Sequence, residues 1–310
     1  MTVDSSPLTV NSQKSTTLWI AVFEITQHQK QYQTYVLTDA STDSLLEVVP
    51  ERGGIITRWR VQGREILYLD AERFARPEMS IRGGIPILFP ICGNLPDNTY
   101  TYQGQQYTLK QHGFARDLPW EVTNSQTNND SASLTLVLNS NEQTRTVYPF
   151  DFQVEFTYEF KGNWLGIWQR FVNRSSAPMP FSTGLHPYFQ VSDKTDLKFE
   201  IPATQFQNQI TKEMHAFSGN FDFELEELDL AFRPLSNQKA TVSDNAQRLQ
   251  LTWSSNYYGT LVFWTIKGKD YYCLEPWTAP RNALNTGTDL IYIEPGGEAQ
   301  TWVNLDITST

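Results

Sequence analysis

Apolar and polar residues alternate along most of this chain. Leu134, Leu136 and Leu138 in SASLTLVLN, Val154, Phe156, Tyr158 and Phe160 in FQVEFTYEF, and Val303, Leu305 and Ile307 in TWVNLDI all repeat with a period of two. An extended strand turns successive side chains to opposite faces, so these segments predict strands with one face inward. Leu249, Leu251 and Trp253 carry the same signal. The continuous apolar run TLVFWTI follows at 260–266, and NYYG between the two reads as a turn, which predicts a central hairpin. Helical spacing is nearly absent; its best candidate, EELDLAF at 226–232, is too short to carry a layer.

Aromatic content fills in the architecture. The 18 Phe, 14 Tyr and 9 Trp supply the bulk that packs one sheet on another. The chain is expected to be all-β, a large antiparallel sandwich in a single domain over 17–310, since no linker, repeat or composition shift divides it. Such a length exceeds small immunoglobulin-like sandwiches and leaves room for a groove on one face. Residues 1–16 are polar, lack the order of a signal peptide and read as a frayed tail.

Charge and cysteine content narrow the partners. Thirty-four acidic against 24 basic residues give a net charge of -10, which repels nucleic acid and anionic membranes. No stretch approaches the roughly 20 apolar residues of a bilayer span. The two cysteines, Cys92 and Cys273, are far apart and outside any CxxC pattern, which fits a reducing compartment. A soluble, cytoplasmic protein with a small-molecule ligand, monomeric or weakly dimeric, is the expectation.

The four histidines can be weighed singly. His28 and His215 stand in polar surroundings and read as exposed rings. His112, in QHGFARD, precedes a glycine that permits close approach and an arginine four residues on; it is either a ring that ties a turn or a chemical group. His186, in GLHPYF, precedes a proline and so marks a strand end, where a backbone carbonyl could equally be its only partner. Glu275, in CLEPW, directly follows an apolar strand, where a carboxylate is costly unless paired or used. Arg82 opens RGGIPILFP and suits recognition of hydroxyl, carboxylate or phosphate; the alternative is a rim ion pair.

RGGIPILFP, QHGFARDLPWEV, GLHPYF and CLEPW, in that order between Val48 and Asp306, resemble the aldose 1-epimerase (galactose mutarotase-like) superfamily. The resemblance implies a large antiparallel sandwich with an open sugar-binding groove. It also implies interconversion of sugar anomers by ring opening and closure, with no cofactor and no metal. By motif, Glu275 would be the base on the C1 hydroxyl, His186 the acid on the ring oxygen, and His112 a second hydrogen bond to that oxygen. Arg82 and Arg116 match arginines that contact substrate oxygens or phosphate. Asp229 would bind a sugar hydroxyl, with Asp222 as a rival, and Trp277 would either stack on the sugar or pack in the core.

The match is mosaic. ICGNLPDNTYTYQGQQYTLK, a predicted hairpin turning at QGQQ, lengthens a segment that is short in the hexose-6-phosphate branch, while HGFAR belongs to that branch. The ligand is therefore a sugar or a sugar phosphate. Three other readings compete: a non-catalytic carbohydrate-binding sandwich, a His112, His186 and Glu275 zinc site, and a glycosidase with Asp229 as second carboxylate. The binder has no need of the acid–base triple. The zinc reading lacks the close ligand spacing of a helical motif.

Overall fold

A computed structural model describes residues 22–310; the tail expected over 1–16 lies outside them. Two eight-stranded sheets form the body. One runs in the order Lys198–Glu200, Lys239–Ser243, Gln247–Trp253, Glu298–Ser309, Trp164–Asn173, Phe152–Lys161, Ala132–Asn139 and Glu121–Thr127. In the other, Met214–Ala216, Gln205–Asn208, Glu227–Phe232, Thr260–Ile266, Tyr271–Trp277, Gly184–Leu185 and Ile87–Leu88 follow in order, with Tyr188–Gln190 also paired to Tyr271–Trp277. A five-stranded sheet spans Phe23 to Glu65, and the strand pairs are antiparallel throughout. The fold is the all-β sandwich that the alternation predicts, and no helix among the described residues is long and apolar enough to cross a membrane.

Inward positions of the first sheet, among them Leu134, Leu136, Phe156, Ile167, Leu251 and Leu305, meet Leu228, Leu230, Phe232, Leu261, Phe263 and Leu274 of the second in one core. Phe89 sits amid five aromatic rings, Phe114, Tyr148, Phe152, Phe171 and Phe181, at centroid distances of 5.1 to 6.0 Å. Its carbonyl accepts the Phe114 and Ala115 amides, which fastens the segment after His112 to the core.

Two expectations are corrected. EELDLAF is a strand, Glu227–Phe232, with Leu228, Leu230 and Phe232 turned to the core. Gln247–Trp253 and Thr260–Ile266 are not a hairpin. The former pairs with Lys239–Ser243 and Glu298–Ser309, the latter with Glu227–Phe232 and Tyr271–Trp277. The NYYG segment carries the chain from one sheet to the other, and the buried Tyr258 hydroxyl, donating to Gln169 Oε1 at 2.9 Å, anchors the crossing. The hairpin within the insert forms as predicted, Thr99–Tyr102 against Gln105–Thr108, turning at Gln103 and Gly104 with φ of 50° and 80°.

Candidate active site

The second sheet has two buried faces. On the core face, Leu230, Phe263 and Leu274 lie side by side across three strands. On the opposite face the same register sets Asp229 beside Trp264 and Cys273, then Ala231 beside Val262 and Glu275. Glu275 is therefore inside the Tyr271–Trp277 strand rather than after it, and small neighbours leave space at its side. Gly184 pairs with Trp277 and Tyr188 with Cys273, which puts His186 directly opposite Glu275. Pro187, with no amide hydrogen, interrupts the ladder at that point, so the His186 segment is held as two short strands.

A cavity of about 210 Å³ opens here, lined by Arg82, His112, Arg116, His186, Asp229, Trp264, Glu275, Trp277 and Arg281, with Tyr188 and Glu227 at its walls. The volume suits one hexose ring. A larger cleft of about 810 Å³ around Tyr257 and Asp289 holds no histidine, and its charged lining residues, Arg233 and Asp289, neutralise one another as an ion pair. The cluster of buried titratable groups lies in the smaller cavity.

Glu275 is 1 % exposed. Its Oε2 accepts the Trp277 indole N–H at 3.1 Å, and its Oε1 lies 3.4 Å from His186 Nε2. Burial, with Asp229 nearby, raises the carboxyl well above the usual range, opposed by Arg281 and the indole N–H. His186 is fixed by stacking on Tyr188 at 4.8 Å and by the edge of Trp264, and burial with Arg116 nearby lowers it well below the ordinary histidine value. Burial thus biases the pair to a protonated carboxyl and a neutral imidazole.

His112 adopts a left-handed φ of 68°. The following Gly113 has φ of 72°, and a Cβ there would lie 2.2 Å from the Phe89 carbonyl, so only glycine fits. The His112 amide donates to the Gly93 carbonyl at 2.7 Å, while the Gly93 amide donates to His112 Nδ1 at 3.1 Å. Because Nδ1 accepts, the neutral ring carries its proton on Nε2. Burial, with Arg116 next, keeps it neutral. The turn-tying reading of His112 is seen directly: Nδ1 holds the turn, which leaves Nε2–H as a donor on a ring that lines the cavity.

Asp229 and Asp222 part company. Asp229 lines the cavity, its Oδ2 accepting from Arg281 Nη2 at 2.7 Å and its buried Oδ1 unpartnered. Burial raises its pKa against the pull of Arg281. Asp222 is exposed, its carboxylate accepting the Glu224 amide, outside the cavity. Arg82 lies over Trp264 at 4.9 Å, and Arg116 donates to the Gln111 carbonyl with its buried Nε unpartnered. Neither forms an ion pair among the described residues. Trp277 lines the cavity at 1 % exposure with its indole N–H committed to Glu275.

Sequence reasoning missed Arg281 and Trp264. Arg281 pairs with Asp229, donates to Asn94 Oδ1 at 3.1 Å and lies 5.5 Å from the Trp277 ring centroid. Its Cγ fills the space where a Gly93 side chain would begin, since a Cβ there would come within 2.3 Å. One side chain thereby touches Asp229, the Trp277 ring beside Glu275, and the Gly93–Asn94 segment that holds His112. Among the described residues, the metal-donor group within reach is His186, Cys273 and Glu275, not the triple with His112.

Known proteins share this arrangement of strands. The Slr1438 protein of Synechocystis sp. PCC 6803 is 45 % identical, with a TM-score of 0.88 over 93 % of this chain and 99 % of that one. The galactose 1-epimerase of Lactobacillus acidophilus NCFM, at 16 % identity, shares the fold with a TM-score of 0.72 over 93 % and 98 % of the two chains. A plant relative from Cenchrus ciliaris, named "Putative glucose-6-phosphate 1-epimerase", is 26 % identical over 255 residues, 77 % of this chain and 70 % of its own. The family model described as aldose 1-epimerase matches residues 34–306, every residue lining the cavity included, and the chain belongs to that family.

Proposed function

We propose that the protein is a mutarotase that interconverts the α and β anomers of a hexose, with Glu275 and His186 as the proton-moving pair and His112 as a fixed donor to the ring oxygen. The observation that carries this reading is the cross-strand apposition of Glu275 Oε1 and His186 Nε2 at 3.4 Å beside the free Nε2–H of His112, in a hexose-sized cavity. Two opposed proton-transfer groups and one donor are what a hemiacetal needs to open.

In the reactive complex, the proton of the pair sits on His186 and Glu275 is ionised. Glu275 removes the C1 hydroxyl proton as His186 protonates the ring oxygen, the C1–O5 bond breaks, and an aldehyde forms. The pair is then neutral: carboxyl and imidazole. Burial favours that same neutral state, so the open-chain intermediate, rare in water, coincides with the protonation the cavity prefers. Rotation about C1–C2 presents the other carbonyl face. Glu275 then returns its proton to O1 while His186 takes the O5 proton, and the ring closes as the other anomer. Trp277 keeps Oε2 hydrogen-bonded, leaving Oε1 to react. The unpartnered Asp229 Oδ1 offers an acceptor for a sugar hydroxyl.

Arg82 and Arg116, two cations without a carboxylate partner among the described residues, support a sugar that carries an anionic group, and hexose 6-phosphate is the substrate proposed. Exchange between anomers, followed by NMR on glucose, galactose and their 6-phosphates, tests both levels. Acceleration above buffer on at least one sugar is expected, with the greatest kcat/KM on a 6-phosphate. No acceleration on any sugar would leave a carbohydrate binder instead.

A further inference from the structure

Anomer exchange has no use for a thiol, yet Cys273 is at the site. It stands two residues before Glu275 on the cavity face of the same strand, fully buried and unbridged, cross-strand from Tyr188. Ligand-capable atoms of His186, Cys273 and Glu275 all lie within 4.8 Å of one another. One imidazole nitrogen, one sulfur and one carboxylate oxygen make a donor set suited to zinc, which binds thiolate at about 2.3 Å and imidazole or carboxylate at about 2.0 to 2.2 Å. Tetrahedral geometry then needs ligand atoms about 3 to 4 Å apart. The imidazole and carboxylate already meet that spacing at 3.4 Å, and the group as a whole must contract by about 1 Å at most.

Charge favours the same occupant. A divalent ion with one thiolate and one carboxylate is neutral overall, so a buried assembly carries no net charge. Magnesium and calcium, which demand oxygen donors, do not suit a sulfur-containing set. His186 and Glu275 line the cavity, from which a water or a sugar hydroxyl would complete the shell. Arg82 and Arg116 oppose any cation there, which holds the affinity well short of a structural zinc site.

We propose that His186, Cys273 and Glu275 form an inhibitory site for a thiophilic divalent cation, Zn²⁺ or Cd²⁺. The bound ion occupies the lone pairs of the imidazole and the carboxylate and competes with the sugar. The inhibition rests on the mutarotase reading; the binding does not.

Full-length protein, freed of metal, is titrated with Co²⁺ and the thiolate-to-cobalt charge-transfer band is read, in the wild type and in Cys273→Ala and Cys273→Ser, with circular dichroism and melting checked for each. The band is expected in the wild type and not in either variant. In parallel, Zn²⁺ should raise the apparent KM for sugar reversibly to chelation, and both variants should need at least about tenfold more Zn²⁺ for the same inhibition while keeping their basal exchange. No band in the wild type, a band that survives Cys273→Ala, or equal zinc sensitivity in all three proteins would overturn the proposal. A Cys273-dependent band on a protein that accelerates no anomer exchange would uphold the metal site and remove the mutarotase reading.

Discussion

The two faces of one sheet, both buried, differ in what their burial does. On the core face, Leu230, Phe263 and Leu274 meet apolar partners, and every contact adds to stability. One residue along the same strands, on the cavity face, Asp229 keeps an unpartnered buried oxygen and Glu275 sits at 1 % exposure beside a histidine. Those groups lose hydration without full compensation, which costs stability. The same strands thus hold a stabilising face and a destabilising one, and the buried titratable groups are on the second. Site and scaffold are separated by side-chain parity, not by distance.

Substitutions on each face should therefore fail in different ways. His186→Asn on the cavity face should lose about 1,000-fold or more in kcat with the fold intact, read by NMR exchange and by melting. Arg281→Gln comes next. It unpairs Asp229 and removes the cation that most opposes protonation of Glu275, so exchange should fall by about 10- to 100-fold. Its pH profile is the diagnostic feature. Arg281 lowers the pKa of Glu275 and of His186 alike, so without it both the alkaline and the acid limb of the rate profile should move to higher pH. A purely structural role would lower the rate and leave the limbs in place.

Phe263→Ala, on the core face, should cost about 3 to 5 kcal/mol in unfolding by denaturant, with kcat per folded molecule unchanged. A kcat loss there equal to that of His186→Asn would dissolve the distinction between the faces. The smallest expected change is the phosphate contrast: Arg116→Ala should raise KM for hexose 6-phosphates about tenfold while sparing free hexoses. Equal increases on both would assign Arg116 to a hydroxyl.

Legibility in the sequence followed the same parity. Strands with one wet face, such as Phe152–Lys161, were readable because polar and apolar residues alternate. Thr260–Ile266 was legible as a strand but not in its facing or its partners, since Phe263 faces the core and Val262 and Trp264 the opposite face, and two apolar faces erase the period. That is why Trp264 went unnoticed and why its strand was paired with the wrong neighbour. Glu227–Phe232 mimicked a helix because Leu228 and Phe232 stand four apart, though Leu230 between them carries the strand period. His112, His186 and Glu275 were visible through the odd company they keep beside glycine and proline. Arg281 had no such signal: its partner Asp229 is 52 residues away, and their meeting depends on the sheet register.

The account also predicts that Glu275 trades stability for chemistry. Its folded pKa is raised, so its contribution to stability is fully present below the unfolded carboxylate value and is lost as pH rises through the folded one. Glu275→Gln, which keeps an acceptor for the Trp277 indole, should melt higher than the wild type at neutral pH, and the gap should close in acid.

The most direct test of the central claim is anomer exchange measured on that same variant under saturating sugar. The account predicts that Glu275→Gln still binds the sugar, as read by ligand-observed NMR, while exchange drops to the rate in buffer. Undiminished exchange by a folded, sugar-binding Glu275→Gln would contradict it.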